Sequence, residues 1–277
     1  MRVATNVASL TAQRNLGINS SKLQTSIGRL SSGSRITSAK DDAAGLAISE
    51  NLNAEVRAMN QAKRNTMDGI SVAQTAEGGL VEIGKMLTRM KELATEAASD
   101  TVGTTEKAYL DDEFQALVSE IDRIANSTEF NGTELLDGTG SSTFSIQVGT
   151  GTSATEDAIT IDLSSFNSTT SGLGFGGTED LKSTANAKTA MGVIDSAIDT
   201  VAGYRGDLGA IQNRLQSAYD NLSVGAENLA AANSRIRDVD FAEETANLTA
   251  NQVMVQAATS VLAQANQLPY SALSLLG

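Results

Sequence analysis

Residues 52–94, LNAEVRAMNQAKRNTMDGISVAQTAEGGLVEIGKMLTRMKELA, determine the fold class, because their apolar side chains recur at helical spacing. The stripe advances in steps of three, four or seven through Leu52, Val56, Met59, Thr66, Ile70, Ala73, Leu80, Leu87 and Ala94. Ile83 and Met90 lie beside it. Such spacing is typical of a helix that packs along another helix. We therefore predict one long helix that begins near Asp41 and ends near Asp100.

Two further segments carry the same spacing. Residues 104–126 place Leu110, Phe114, Leu117, Ile121 and Ile124 on one face, and the turn signal Asn131-Gly132 follows. Residues 185–239 contain a longer stripe of Met191, Ile194, Ile198, Val201, Leu208, Ile211, Leu215, Leu222, Leu229 and Ile236. With 4% aromatic residues, no Trp and one Pro, the composition fits packed helices better than a globular core. The sequence thus predicts a mainly α fold, an elongated antiparallel helical bundle or coiled-coil rod.

Residues 139–177 differ from these helices because they are rich in Gly, Ser and Thr. Two short alternating runs, residues 144–148 and 159–163, predict a small β-hairpin. The glycines of residues 172–177 are not followed by the Lys-Ser/Thr of a phosphate-binding loop, so we interpret them as a flexible connector. The Ser/Thr cluster of residues 164–171 is a candidate for O-linked sugar.

The C-terminal residues 245–277 contain no charged side chain, yet their spacing predicts a helix. Leu248, Val255 and Leu262 form one apolar row, and beside it runs a second row of Met254, Ala258, Val261, Ala265 and Leu268. Asn and Gln interrupt every window long enough to cross a bilayer, which argues against membrane insertion. Small residues that permit close approach, and amides that can pair sideways, instead favour a helix surrounded by other helices in an assembly.

The N-terminal residues 1–40 carry six basic residues and no acid. Their apolar positions suggest one helical face: Val3, Val7, Leu10, Leu16, Leu23, Ile27 and Leu30. All 33 acidic residues lie from Asp41 to Glu244, so the ends and the middle of the chain suit different surroundings. A transit peptide and a disordered tail are the alternatives. The apolar pattern continues past Asp41 without a change of composition, which favours an assembling helix.

The composition excludes several classes of function. The 277 residues include no His and no Cys, so His-based proton transfer, thiolate nucleophiles and the common zinc sites are absent. The net charge of −13 argues against a nucleic-acid surface. We expect no catalytic residue, no metal and no cofactor. No secretory signal is visible, so an exported chain would need another route.

Long motifs at both ends identify a resemblance. Residues 30–48, LSSGSRITSAKDDAAGLAI, and AQRNL before them resemble the N-terminal signature of bacterial flagellin, the filament subunit of the flagellum. Residues 234–240, SRIRDVD, and 259–269, TSVLAQANQLP, resemble its C-terminal signature, which closes with LSLL. The opening MRVATN departs from the Ile-Asn-Thr-Asn start of the family.

The resemblance covers residues 1–135 and 185–277, which indicates a short flagellin without the outer inserted domains. It implies four segments: an N-terminal inner-core helix (1–42), a rod segment with the β-hairpin (43–180), a C-terminal rod helix (181–236) and a C-terminal inner-core helix (237–277). Homopolymerisation into an extracellular filament for motility is the implied function. Filament packing would then involve Val3, Val7, Leu10, Leu23, Ile27, Leu248, Met254, Val255, Val261, Leu262 and Leu268.

The resemblance also implies partners. Flagellins leave the cell unfolded through the channel of the flagellum, and a secretion chaperone shields the C-terminal helix. Cap and junction proteins bind at the ends of the filament. Residues 88–94, TRMKELA, resemble the segment recognised by vertebrate Toll-like receptor 5. Arg89 and Leu93 take its central positions, with Glu113, Ile194 and Ile198 on neighbouring helices.

Two other functions remain as alternatives. A hook-filament junction protein shares flagellin-like ends but carries a different body. A secreted helical translocator that acts on host membranes would also have amphipathic ends. The zinc protease inserted in some flagellins is excluded, because the chain has no His and no insert.

Overall fold

The computed structural model describes residues 5–138, 143–177 and 179–273, with side chains as far as residue 267. Within these ranges the chain forms five helices and two antiparallel strand pairs. The elements are α1 (Val7–Ser32), α2 (Ala43–Ala97), α3 (Thr104–Ser127), β1 (Glu129–Phe130), β2 (Thr133–Glu134), β3 (Thr143–Gln147), β4 (Ala158–Asp162), α4 (Thr184–Arg237) and α5 (Phe241–Leu273). The predicted mainly α fold with long helices is confirmed.

The stripe predicted along α2 is buried where its seven-residue repeat is strict. Thr66, Ala73, Leu80, Leu87 and Ala94 are all fully buried. Ile83 and Met90, which the sequence places beside the stripe, are also fully buried, in the same core cluster as residues of α3 and α4. A helix that packs against more than one neighbour buries a wider face than a two-helix seam does.

The chain divides into two compact units. One unit, residues 57–226, contains α3, the strands and the larger parts of α2 and α4. Its core includes Phe114, which meets Phe175 edge to face at 6.5 Å, and Phe166, which stacks on Tyr204 at 4.4 Å between ring centroids. The other unit, residues 1–56 and 227–277, contains α1, α5, the start of α2 and the end of α4. The segment boundaries expected after residues 42 and 236 lie near helix ends, whereas the units divide inside α2 and α4.

The predicted β-hairpin and the predicted turn at Asn131-Gly132 are both present. β3 and β4 pair antiparallel with Phe144 opposite Ile161 and Ile146 opposite Ile159, within one residue of the predicted runs. β1 and β2 are joined by Asn131-Gly132, whose φ values of 51° and 77° suit a tight hairpin turn.

The glycine-rich segment after β4 is held against the core. The Asp122 carboxylate accepts hydrogen bonds from the Thr170 backbone N–H (2.7 Å) and hydroxyl (2.8 Å). Leu173 and Phe175 of this segment are buried, at 4% and 5% exposure. The interpretation of residues 172–177 as a flexible connector overlooked these two anchors, because glycine dominates the local composition. In the Ser/Thr cluster Ser168 is fully buried.

Candidate assembly interface at the paired terminal helices

α1 and α5 pack together antiparallel through a strict heptad seam. The α1 side consists of buried and half-buried residues at alternating steps of three and four: Ser9, Ala12, Leu16, Asn19, Leu23, Ser26 and Leu30. The α5 side repeats the pattern with Glu244, Leu248, Asn251, Val255, Ala258, Leu262 and Ala265. Strict heptads on both helices are typical of coiled-coil packing. The seam therefore alternates large apolar residues, chiefly leucines, with small or polar ones.

Polar contacts define the register of the pair. Asn6 donates its side-chain N–H to the Ala265 carbonyl oxygen (2.7 Å), and the Ser9 hydroxyl donates to the Asn266 side-chain oxygen (2.8 Å). At the opposite end Arg29 lies 3.7 Å from Glu244, whose residue is only 7% exposed. The Asn266 amide of the uncharged helix therefore pairs sideways with α1, whereas the pairing of its amides with other copies stays a prediction. The Arg29–Glu244 pair was not predicted, although Glu244 continues the Leu248 row four residues upstream.

Large apolar side chains remain exposed on both helices after they pair. We call them the outer apolar residues: Val7, Leu10, Ile18 and Ile27 of α1, and Phe241, Val253, Met254 and Val261 of α5. Val7 is 65% exposed and Val253 is 59% exposed. No charged residue follows Glu244 in the sequence, so α5 offers water only amides, hydroxyls and methyl groups beyond that point.

The predicted packing residues divide into two groups. Leu23, Leu248, Val255 and Leu262 are half-buried in the seam within one chain. Val7, Leu10, Ile27, Met254 and Val261 are outer apolar residues. Val3 and the Leu268 side chain lie outside the described residues. Ile18, Phe241 and Val253 complete the outer set without having been predicted, because sequence spacing alone does not distinguish a second apolar face from the seam.

The two signature segments meet in space. Gly33 ends α1 with φ 70°, and its carbonyl oxygen accepts the Val239 backbone N–H at 3.1 Å. Arg35 donates its backbone N–H to Arg237 (2.6 Å) and its guanidinium N–H to the Ile236 carbonyl oxygen (2.8 Å). Hydrogen bonds between residues about 200 apart in the sequence thus hold the end of α1 beside the end of α4.

Carboxylates organise the turn between α1 and α2. Asp41 accepts hydrogen bonds from the Thr37 hydroxyl (2.8 Å) and backbone N–H (3.2 Å), and Ser38 donates to it in the same two ways. These bonds, chiefly the one from the Thr37 hydroxyl, lower the pKa of Asp41 below its ordinary value of 3.8. Asp42 accepts the Gly45 backbone N–H at 2.8 Å and caps α2 one residue after the predicted start near Asp41.

The predicted receptor residues occupy two environments. Arg89 is exposed and contacts both Glu113 (2.9 Å) and Glu92 (3.0 Å), which raises its pKa, chiefly through the hydrogen bond to Glu113. Leu93 and Ile194 are buried in the core at 1% and 0% exposure, and Ile198 is half-buried. The side chains of Arg89 and Glu113 are therefore the accessible part of this set.

The described residues hold no group of three or more acidic side chains suited to a metal ion. Among them, no helix has both the length and the apolar character needed to cross a bilayer.

Comparisons with known proteins agree at both ends of the chain. Residues 3–141 match the family model of the bacterial flagellin N-terminal helical region, and residues 191–276 match that of the C-terminal helical region. A flagellin of Halalkalibacterium halodurans is 45% identical over 273 residues, which is 98% of each chain. A Bacillus subtilis flagellin is 40% identical over 310 aligned positions that span both chains completely. The crystal structure of Bacillus cereus flagellin matches with a TM-score of 0.51 at 35% identity, over 61% of this chain and 94% of that one.

Proposed function

The chain belongs to the bacterial flagellin family, and from that premise we propose that its outer apolar residues are the surface through which it polymerises. It is a structural subunit of the bacterial flagellar filament, which serves motility, and not an enzyme. The filament is extracellular. The junction-protein and translocator alternatives are not favoured.

The observation that carries this proposal is the exposed apolar surface on α1 and on α5, which carries no charge after Glu244. Eight large apolar side chains of α1 and α5 are between 48% and 65% exposed. Full burial of one such side chain is favourable by about 1.5–3 kcal/mol. Clustered exposed apolar residues mark interaction sites in soluble proteins. Neighbouring copies of the same helix pair would bury them, while the polar residues of the seam keep each pair in register.

The same features support a proposal about export. We propose that the chain leaves the cell unfolded through the channel of the flagellum, and that a secretion chaperone covers α5 beforehand. A helix that exposes Phe241, Val253 and Val261 and carries no charge after Glu244 would associate prematurely at cytoplasmic concentrations. Cap and junction proteins would then bind the two ends of the finished filament.

Recognition by Toll-like receptor 5 is a further proposal, supported by the exposed Arg89–Glu113 pair. Leu93→Ala would create a cavity in the core and would therefore not isolate a receptor contact. Arg89→Ala is the better test, with Arg123→Ala as its control, because Arg123 is also exposed and paired with a glutamate. We expect monomeric Arg89→Ala to lose signalling in receptor-bearing cells. Equal signalling from both variants would argue against the assignment.

Negative-stain microscopy tests polymerisation. The purified chain is seeded or salted out beside a chain that lacks residues 245–277. We expect filaments from the complete chain alone, because the deletion removes most of α5 and with it Val253, Met254 and Val261. Filaments from the shortened chain would contradict the role of the outer apolar residues. Monomers from both chains would point to an adaptor role, and liposome leakage would then be measured.

A further inference from the structure

One aromatic side chain stands apart on the surface of α3. Tyr109 is 69% exposed, more than any other large apolar side chain in the described ranges. Glu106, Asp112 and Glu113 lie three or four residues away along the helix and therefore surround it on the same face. Glu113 is held by Arg89, whereas Glu106 and Asp112 form no ion pair within the described part of the chain. We call these four residues the Tyr109 face.

A shallow groove lies elsewhere in the same compact unit, between α2 and α4. Its volume is about 310 Å³. Its lining includes small residues, apolar residues and two bases: Gly84, Lys85, Ile198, Val201, Ala202 and Arg205. No side chain projects from Gly84, so a group from another molecule can approach the helix backbone there. We call this site the α2–α4 groove.

The two basic residues of the groove each have hydrogen-bond donors left for a further anion. Lys85 pairs with Glu82 at 2.7 Å and Arg205 with Glu77 at 3.9 Å, and the two basic side chains remain 66% and 48% exposed. An ammonium group has three donors and a guanidinium group has five, so each can donate to a second carboxylate. The chain as a whole is acidic, with a charge of −13, so two bases beside an apolar groove offer a complement to the carboxylates of another copy.

We propose that the Tyr109 face of one copy docks into the α2–α4 groove of a second copy. The tyrosine ring enters over Gly84 and Ala202 against Ile198 and Val201, and the free carboxylates of Glu106 and Asp112 meet Lys85 and Arg205. This inference rests on the proposed function, because it requires the chain to associate with itself. Tyrosine is enriched among the residues that dominate interface energetics, since its ring combines a large apolar area with a polar tip.

The symmetry of such a contact fits an open polymer. The Tyr109 face and the α2–α4 groove consist of different residues, so the contact is heterologous, and a joined pair of copies keeps one free face and one free groove. Heterologous contacts that do not close into a ring propagate as helical filaments. The outer apolar residues and this second contact therefore play different roles, with the helix pairs joined in one place and the bodies of the subunits aligned in another.

Cysteine cross-linking tests the contact, because the native chain contains no Cys. Asp112→Cys is introduced in one preparation and Lys85→Cys in another, and the two are assembled together and treated with a short bismaleimide. We expect cross-linked dimers from the mixture and not from either variant alone. The control mixture replaces Lys85→Cys by Ser196→Cys. Ser196 is exposed and lies two residues from Ile198, on the other side of α4.

A side-chain truncation gives a second readout. Tyr109→Ser is expected to raise the critical concentration for assembly roughly tenfold, while Ala116→Ser on the same exposed side of α3 leaves it unchanged. Filaments that yield no more dimers than the control mixture, or an unchanged critical concentration for Tyr109→Ser, would overturn the contact and leave the proposed function intact. A native chain that forms no filaments at all would overturn the proposed function and this inference with it.

Discussion

The core of residues 57–226 and the pair formed by α1 and α5 both follow heptad spacing, yet they bury different material. Leu80, Leu87 and Met90 of the core are completely inaccessible to water. The seam of the helix pair instead mixes half-buried leucines with Ala, Ser and Asn, and further large apolar residues such as Val7 and Val253 are exposed. The comparison shows that one region completes its apolar core within a single chain. In the other, large apolar side chains stay exposed, and we propose that further copies cover them.

The largest expected effect comes from the core. Leu87→Ala removes a fully buried side chain, and we expect a loss of about 2–5 kcal/mol in the free energy of unfolding. Leu10→Ala is the matched change at a position that is 57% exposed, and it should alter the stability of the monomer by less than about 0.5 kcal/mol. Urea unfolding of the monomers measures both. Equal losses would show that the two regions do not differ as described.

The next effect concerns assembly rather than folding. Val253→Asn and Val261→Asn together remove two outer apolar residues, each of which would contribute about 1.5–3 kcal/mol if fully buried by neighbours. We expect a critical concentration raised by at least an order of magnitude, with the unfolding of the monomer unchanged. Thr249→Asn with Ser260→Asn is the control, at exposed polar positions of α5. Sedimentation of polymer across a concentration series gives the critical concentration of each double variant. Similar critical concentrations for the two would contradict the role of Val253 and Val261 in assembly.

A smaller effect is expected where the core holds the glycine-rich segment. Asp122→Ala removes the acceptor for two hydrogen bonds from Thr170, and its cost should be about 1–3 kcal/mol. Glu156→Ala, an exposed acid in the same unit, serves as the control. Hydrogen exchange should quicken at Leu173 and Phe175 in Asp122→Ala alone. Unchanged exchange there would mean that the apolar anchors suffice.

The smallest effect is on the pH dependence of stability, which has opposite signs for one carboxyl group in each of the two units. The pKa of Asp41 lies below 3.8, so its hydrogen bonds stabilise the turn above that pH, and the stabilisation is lost as the pH falls through the lowered value. The pKa of Glu134 is raised above 4.5, mainly by a hydrogen bond with Asp137 and then by the charges of Asp137 and Glu129. The stabilisation from the protonated Glu134 side chain is therefore fully present at low pH, and it is lost as the pH rises through the raised pKa.

NMR titration of the two side-chain carboxyl carbons measures this difference. Thr37→Val should move the pKa of Asp41 upward toward 3.8 and leave that of Glu134 unchanged, while Asp137→Asn should lower the pKa of Glu134 alone. Two carboxyls that titrate together near their ordinary values would show that neither hydrogen bond persists in solution.

Much of the fold was predictable because helical periodicity is a local property of the chain. The repeat through Leu80 and Leu87 predicts α2, and Asn131-Gly132 predicts a turn whose positive φ values the structure contains. The anchoring of Leu173 and Phe175 was not predictable from composition, because Gly and Ser surround them in the sequence. Phe175 is buried against Phe114 of α3, a contact that the local pattern does not contain.

The candidate site was predictable as a set of residues but not as an arrangement. Leu262 and Val261 are adjacent and both apolar, yet the first faces α1 and the second is exposed. Leu93 and Ile194 resemble receptor positions, and only packing shows that their side chains are inside the core.

The sequence by itself determined which segments are helical, that both termini lack negative charge, and that the chain resembles flagellin, because spacing, charge and motifs are properties of the linear order. Only the tertiary structure decided which apolar row of α5 faces α1, and that Arg35 hydrogen-bonds to Arg237 across some 200 residues. The reason is physical: a helix has several faces with similar composition, and which face becomes buried depends on neighbours that are distant in the sequence.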